Sequence, residues 1–443
     1  MPIETIPGTN ERYFLLAFDK SGVERKDDRD GTNGLMSASL LTSLPREHPT
    51  DIFFFSHGWK GDIGAARDQY NRWIKAMLDL GADRQAMGPA FKPAWIGLHW
   101  PSLPFGDEEL GGASFDAGGE DAAALSPEGL VDLYVDRLAL GEESRPLIRN
   151  IVDAHRRDAA AAELPPDAEA SYRSLAEMAG RNQSEGPSGP PEADGEPFDP
   201  NQAFQAGNAA AEGADFGEGG FLGGILGPLR QLSYWTMKKR ARSIGESGMH
   251  AFLTALMNAL PKARIHLMGH SFGCIVASSM LGGPSARHPL PRAVDSLALV
   301  QGAVSLWAFA DSIPNFTGTG YFNPWVTRKA VRGPVIVTRS KFDKAVGIFY
   351  PLASAAVLAA PDFDPDDDHP PRFGAIGAFG MRGLSTATRL DMLPETQSYG
   401  FEQGKVYNLE ASKFIRKGDG ASGAHSDIDG PQVAHAIWQA ASV

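Results

Sequence analysis

The chain has 443 residues, of which 42% are hydrophobic, and it carries a formal net charge of -13 with a pI near 5.3. This suits a soluble globular protein of one large domain or several ordinary ones, and the acidic balance leaves no broad basic surface for phosphates, so no nucleic-acid partner is expected. The single cysteine, Cys274, excludes an intramolecular disulfide framework and a cysteine-cluster zinc site, and no cofactor or metal is expected.

The N-terminus, MPIETIPGTNERYFLLAFDKSG, lacks the basic start and long apolar stretch of a signal peptide, which predicts a cytoplasmic location. The longest apolar candidates, 219–229 and 351–360, fall short of the roughly 20 residues that span a bilayer. Membrane contact is therefore expected to be peripheral at most.

Short apolar runs rich in β-branched and aromatic residues predict strands at Tyr13 to Phe18, Asp51 to Phe55, Ala94 to Trp100 and Arg264 to Met268, and again at Ser296 to Gln301, Pro334 to Thr338 and Lys405 to Leu409. Between them Tyr70, Trp73, Ile74, Met77 and Leu78 recur at helical spacing, as do Met249, Phe252, Leu253, Leu256, Met257 and Leu260. The alternation predicts an α/β fold, a mostly parallel sheet with helices on both faces.

The pattern breaks between 101 and 231, which divides the chain into a first core part (1–100), an insertion (101–231) and a second core part (232–443). Ser126-Pro127-Glu128 reads as a capped helix start, and a second helix is expected from about Ser144 to Ala162, before Pro165-Pro166. A run rich in Pro, Gly and acids (184–202) predicts a flexible stretch near 184–220, because it offers too little apolar surface to offset its ordering entropy.

Gly269-His270-Ser271-Phe272-Gly273 fits G-x-S-x-G, a pattern short enough to arise by chance. Its setting adds weight, since an apolar strand precedes it and a plausible buried helix, CIVASSML, follows. A sharp strand-to-helix turn there would expose the serine hydroxyl and leave no room for a Cβ at either glycine. A serine nucleophile also needs a base and donors for an oxyanion. Upstream, DIFFFSHGW is an apolar strand emptying into His57-Gly58-Trp59. Downstream, GPVIVTRSKFDK is a strand followed by a loop with Asp343, and KVYNLE leads to a glycine-rich loop with His425 and a closing amphipathic helix.

These parts resemble the α/β-hydrolase superfamily over about residues 10–100 and 232–443. The resemblance implies a serine hydrolase with Ser271 as nucleophile, His425 as general base then acid, and Asp343 orienting the histidine. It further implies an oxyanion hole from the backbone N–H groups of Trp59 and Phe272, and the HG-x loop resembles that of esterases and lipases. A small-molecule or lipid ester is the expected substrate. An amidase or thioesterase on the same triad and a non-catalytic binding scaffold are the alternatives.

Other residues have plainer expectations. Asp311 is an alternative acid, following the strand before that of Asp343, whereas Asp362 is too far downstream. His435 is expected to pack on the closing helix, His57 and His270 to bond loop backbone, and Cys274 to be a buried apolar residue. The acidic run 362–371 is read as a solvated loop. MKKRARS (237–243) is the solvated start of a helix or an interfacial segment. The insertion is expected to act as a lid or substrate-binding cap, with Phe216, Phe221, Leu222, Ile225 and Leu226 as an apolar acyl pocket or, for a lipid substrate, an interface-sensing surface.

Overall fold

A computed structural model of the chain describes residues 3–59, 63–102, 126–159, 161–181, 188–212, 224–349, 371–418 and 422–443. Its strands are β1 (Ile3–Thr5), β2 (Arg12–Ala17), β3 (Asp51–Ser56), β4 (Pro93–His99), β5 (Arg264–His270), β6 (Ser296–Val300), β7 (Val335–Arg339), β8 (Ala387–Asp391) and β9 (Val406–Glu410). They form one sheet in the order β1-β2-β4-β3-β5-β6-β7-β9-β8, with β1 antiparallel to β2 and every other pairing parallel. The seven runs predicted as strands correspond to β2 to β7 and β9.

The two strands that were not predicted, β1 and β8, lie at the sheet edges, where neither carries an unbroken apolar run. A strand buried on both faces must be apolar throughout, and an edge strand need not be.

Helices α1 (Met36–Glu47), α2 (Ile63–Asp79) and α3 (Gly81–Ala86) connect the first strands. The insertion holds α4 (Pro127–Leu138), α5 (Arg145–Arg157), α6 (Pro166–Met178) and α7 (Pro200–Glu212). After it come α8 (Gly227–Ile244), a π turn (Gly245–Met249), α9 (His250–Ala259), α10 (Gly273–Gly282), α11 (Asn323–Thr327), α12 (Ile376–Phe379) and α13 (Pro431–Ala441).

Alternation along the strands sends side chains to two cores. Ile52, Phe54, Leu267, Leu297 and Leu299 pack with α1, α8, α9 and α10 on one face, whereas Phe53, Phe55, Met268, Ala298 and Val300 meet Trp73 of α2 and Trp438 of α13 on the other. Helix α10 is buried along its whole length. The π turn crosses it so closely that a Cβ on Gly245 would lie 2.6 Å from the Val276 carbonyl oxygen.

The insertion has its own core, built from Leu130, Tyr134, Ile148, Ile151, Tyr172, Leu175 and Phe204 and closed by Leu229 and Leu232 of α8. Its first helix starts as expected, with Ser126 Oγ accepting from Gly129 N at 3.1 Å and Pro127 in the first turn. One helix, α8, joins the two cores. Leu229 and Leu232 belong to the insertion, and Trp235, Met237, Ala241 and Ile244 to the sheet face.

Within the stretch near 184–220 that is expected to be flexible, residues 188–212 carry local structure. Pro191 and Asp194 are buried and α7 follows. Charge pairing provides the stabilisation that apolar area lacks. Glu192 Oε2 accepts from Arg242 Nε at 2.9 Å, Glu196 Oε1 meets Arg372 Nη1 at 2.6 Å, and Asp194 faces Lys238 Nζ at 3.9 Å. Arg181 donates to the carbonyls of Glu192 and Glu196 and lies 4.0 Å over the Trp235 ring. The basic run 237–243 is accordingly neither a solvated helix start nor an interfacial face, because Lys238, Arg240 and Ala241 are buried. Burial pushes the Lys238 ammonium down to about 7, against the opposing pull of Asp194.

Candidate active site

Strand β5 ends in Gly269-His270, and α10 begins two residues past Ser271. Ser271 is held at φ +55°, the left-handed region that costs a residue with a Cβ about 1–3 kcal/mol unless its surroundings impose it. Three backbone bonds do so: Ser271 N donates to Val300 O at 3.2 Å, and Ala303 N and Cys274 N donate to Ser271 O at 3.1 Å. A Cβ on Gly269 would overlap the Gly273 carbonyl, and one on Gly273 the carbonyls of Ser56 and His57. Both glycines of the motif are therefore sterically required.

The acid and the histidine come from neighbouring loops at the carboxyl ends of β7 and β9. Asp343 and Gly423 form an antiparallel bridge, and Ala424 N donates to Phe342 O at 2.8 Å. This sets His425, in the turn Ala424–Ser426, between the other two groups. His425 Nδ1 lies 2.8 Å from Asp343 Oδ2 and Nε2 lies 2.8 Å from Ser271 Oγ. An ionised carboxylate can only accept, so Nδ1 carries the proton and Nε2 is left to receive the serine's. Asp343 is fully buried, and 13% of the His425 side chain is exposed.

Trp59 and Phe272, predicted to line the oxyanion hole, pack with ring centroids 5.9 Å apart. Tyr234 of α8 covers both, at 5.8 Å from Trp59 and 5.1 Å from Phe272. No side chain caps the start of α10, whose amide dipoles point their positive end toward Ser271.

The neighbouring histidines bond backbone. Trp100 N donates to His57 Nε2 at 3.3 Å, leaving Nδ1–H to donate to Gly58 O at 2.9 Å. His270 Nε2–H donates to the carbonyl of His425 at 2.9 Å, and burial together with the adjacent His425 holds its imidazole well below the usual histidine range. His435 packs on α13 between Asp83 Oδ2 and Gln397 O, at 2.7 Å each. The Cys274 thiol donates to Gly269 O at 3.1 Å, and burial pushes its pKa up.

Asp311 does not contact His425. It accepts from Asn323 Nδ2 at 3.0 Å and from Ser385 N and Oγ at 3.0 and 2.8 Å, which makes it a loop tie. Ile225 and Leu226 are buried within the insertion's own core, where they replace solvent for its helices and do not offer an acyl pocket. Phe216, Phe221, Leu222, the segment 351–360 and Asp362 with most of its acidic run lie outside the described residues.

Two arrangements escaped the sequence reading. Gln301, directly after β6, donates from Nε2 to Asp343 Oδ2 at 2.8 Å; its one signal was a polar residue and a glycine closing the apolar strand SLALV. The second is another Ser–His–Asp chain, in which Ser296 Oγ lies 2.8 Å from His266 Nδ1 and Asp51 Oδ1 lies 3.0 Å from His266 Nε2. All three are buried on extended backbone toward the amino-terminal ends of β6, β5 and β3, with no strained turn or helix start beside the serine. The hydrogen-bond chain is common to both places, and of the two serines Ser271 alone sits in a left-handed turn between a strand's carboxyl end and a helix.

Among the described residues no group of three or more His, Cys, Asp or Glu side chains is arranged to hold a metal ion, and no helix is long and apolar enough to cross a membrane. No family model, curated protein or solved structure matches the chain.

Proposed function

We propose that the chain is a serine hydrolase of the α/β-hydrolase type, cleaving carboxylic esters through an acyl-enzyme intermediate. The observation that carries this reading is the continuous path Ser271–His425–Asp343, 2.8 Å at each step, built on a left-handed serine at the start of a buried helix.

Ser271 Oγ attacks the acyl carbon as its proton passes to His425 Nε2, and Asp343 stabilises the imidazolium that forms. Backbone N–H groups of Trp59 and Phe272 hold the negative charge on the former carbonyl oxygen; one such donor is worth about 10²–10³ in rate. Collapse of the tetrahedral intermediate expels the alcohol, which takes the proton from Nε2. Water then repeats the sequence on the acyl-enzyme and releases the acid.

Tyr234 supports a role for the insertion in substrate access, because the helix that carries it begins in the insertion's core and reaches the oxyanion residues. A small-molecule or lipid ester fits this arrangement.

The test is labelling with a fluorophosphonate, followed by p-nitrophenyl esters from acetate to palmitate, with Ser271→Ala as control. Stoichiometric modification of Ser271 and ester turnover absent from the variant are expected. Labelling without ester turnover would shift the substrate to an amide or thioester. A wild type that does not label would make the chain a binding scaffold.

A further inference from the structure

We propose that Gln301 is a positioning residue whose side-chain amide, locked by Thr338, donates to Asp343 Oδ2 and keeps that oxygen aimed at His425 Nδ1. This inference rests on the triad reading for its catalytic consequence, but its geometry stands apart from any substrate.

Gln301 is fully buried and sits at φ +45°, an uncommon conformation for a residue with a Cβ. The turn that carries α12 clamps it there. Gly377 N donates to Gly302 O at 2.9 Å, and a Cβ on Gly377 would stand 2.9 Å from Gln301 Cα. The backbone is thus specified from outside, and the side chain extends toward Thr338 and Asp343.

The amide's orientation follows from donor counting. Gln301 N–H donates to Thr338 Oγ1 at 2.9 Å, so the threonine hydroxyl proton turns to Gln301 Oε1, also at 2.9 Å. With Oε1 an acceptor, Nε2 is the NH₂ group. One of its protons goes to Asp343 Oδ2 at 2.8 Å, and the other faces Gly377 O at 3.4 Å. A flipped amide would set oxygen against carboxylate and leave the threonine proton without an acceptor.

Asp343 Oδ1 accepts from Val346 N at 3.1 Å, so the two donors outside the triad hold one oxygen each. Without Gln301, Oδ2 keeps, among the described residues, only the histidine, and the carboxylate gains freedom to rotate about the Val346 bond. Misorientation of this kind acts on the chemical step more than on substrate binding.

Two variants test this. Gln301→Leu removes the donor at similar size, and Gln301→Glu donates only while its carboxyl is protonated. In the wild type a far-downfield proton NMR resonance is expected from the hydrogen between His425 Nδ1 and Asp343, assigned by its loss in His425→Asn. In folded Gln301→Leu that resonance should move or broaden, and the rate of Ser271 phosphonylation should fall about 10- to 100-fold, with kcat affected and KM nearly unchanged. In Gln301→Glu both readouts should approach wild type at acid pH and decline reversibly as pH rises, which a folding defect would not produce. An unchanged resonance and reactivity in folded Gln301→Leu, or a Gln301→Glu deficit independent of pH, would overturn the proposal. Failure of the hydrolase reading looks different: a wild type that keeps the resonance but does not label.

Discussion

Gly58 and Ser271 approach so closely that a Cβ placed on Gly58 would lie 2.7 Å from Ser271 Cβ. The loop after β3 therefore forms one wall of the nucleophile's position. Gly58→Ala should push Ser271 away from His425 without disturbing either hydrophobic core. A displacement near 1 Å costs about 10²-fold in rate. The expected outcome is a folded variant, by circular dichroism and melting temperature, whose phosphonylation is slowed by that order.

The two candidate acids separate cleanly by mutation. Asp343 contacts His425, and Asp311 ties Asn323 to Ser385. Asp343→Asn should lower kcat by about 10⁴, because the amide favours the wrong histidine tautomer. Asp311→Asn should leave reactivity within a few-fold of wild type and lower only thermal stability. Equal losses in both variants would contradict the assignment.

Acid should destabilise the fold through three buried histidines. Burial lowers the pKa of His99 and His270 well below the usual value, with neighbouring His57 and His425 adding to it respectively, and lowers that of His266 despite its bond to Asp51. As pH falls below about 6.5 the unfolded chain takes up these protons and the folded chain does not. Stability is therefore full above that pH and is lost below it, by up to about 1.4 kcal/mol per pH unit for each histidine still neutral in the fold. Urea titrations at pH 7, 6 and 5 should show the fall, and it should be shallower in His270→Gln.

The buried pair Asp194–Lys238 makes residues 188–196 a structural strap. Asp194→Asn should cost about 1–2 kcal/mol at pH 6, where the Lys238 ammonium loses this counter-ion and gives up its proton in the fold. The deficit should shrink by pH 9, because the lysine, already pushed down to about 7, is then neutral in both proteins. Deleting 188–212 should for the same reason lower soluble yield, beyond any change in acyl-chain preference.

Cys274 should be inert in the native protein. Its thiol is fully buried and its pKa is raised, so almost no thiolate forms near neutral pH. Iodoacetamide should modify it only after unfolding. Rapid modification of native protein together with loss of activity would reopen the choice of nucleophile.

The seven inner strands, the elbow at Ser271 and the chain order of Ser271, Asp343 and His425 were legible in the amino-acid sequence. Each of these is written locally. A strand buried on both faces must be apolar along its length, and a turn without room for a Cβ must be glycine. Tertiary structure alone decided the rest. The edge strands β1 and β8 carry no such local demand, and among the acids of 188–196 Asp194 is buried and Glu192 partly buried opposite cations of α8, whereas Glu196 meets Arg372 at the surface. It also distinguishes two Ser–His–Asp chains by their setting. Ser296, His266 and Asp51 match the residue types and the spacing, yet they bond within the sheet, whereas Ser271 stands at its carboxyl edge where a helix begins. Gln301 belongs to the same category, since a hydrogen bond from the end of β6 to the loop after β7 spans 42 residues and exists only once the two strands lie side by side.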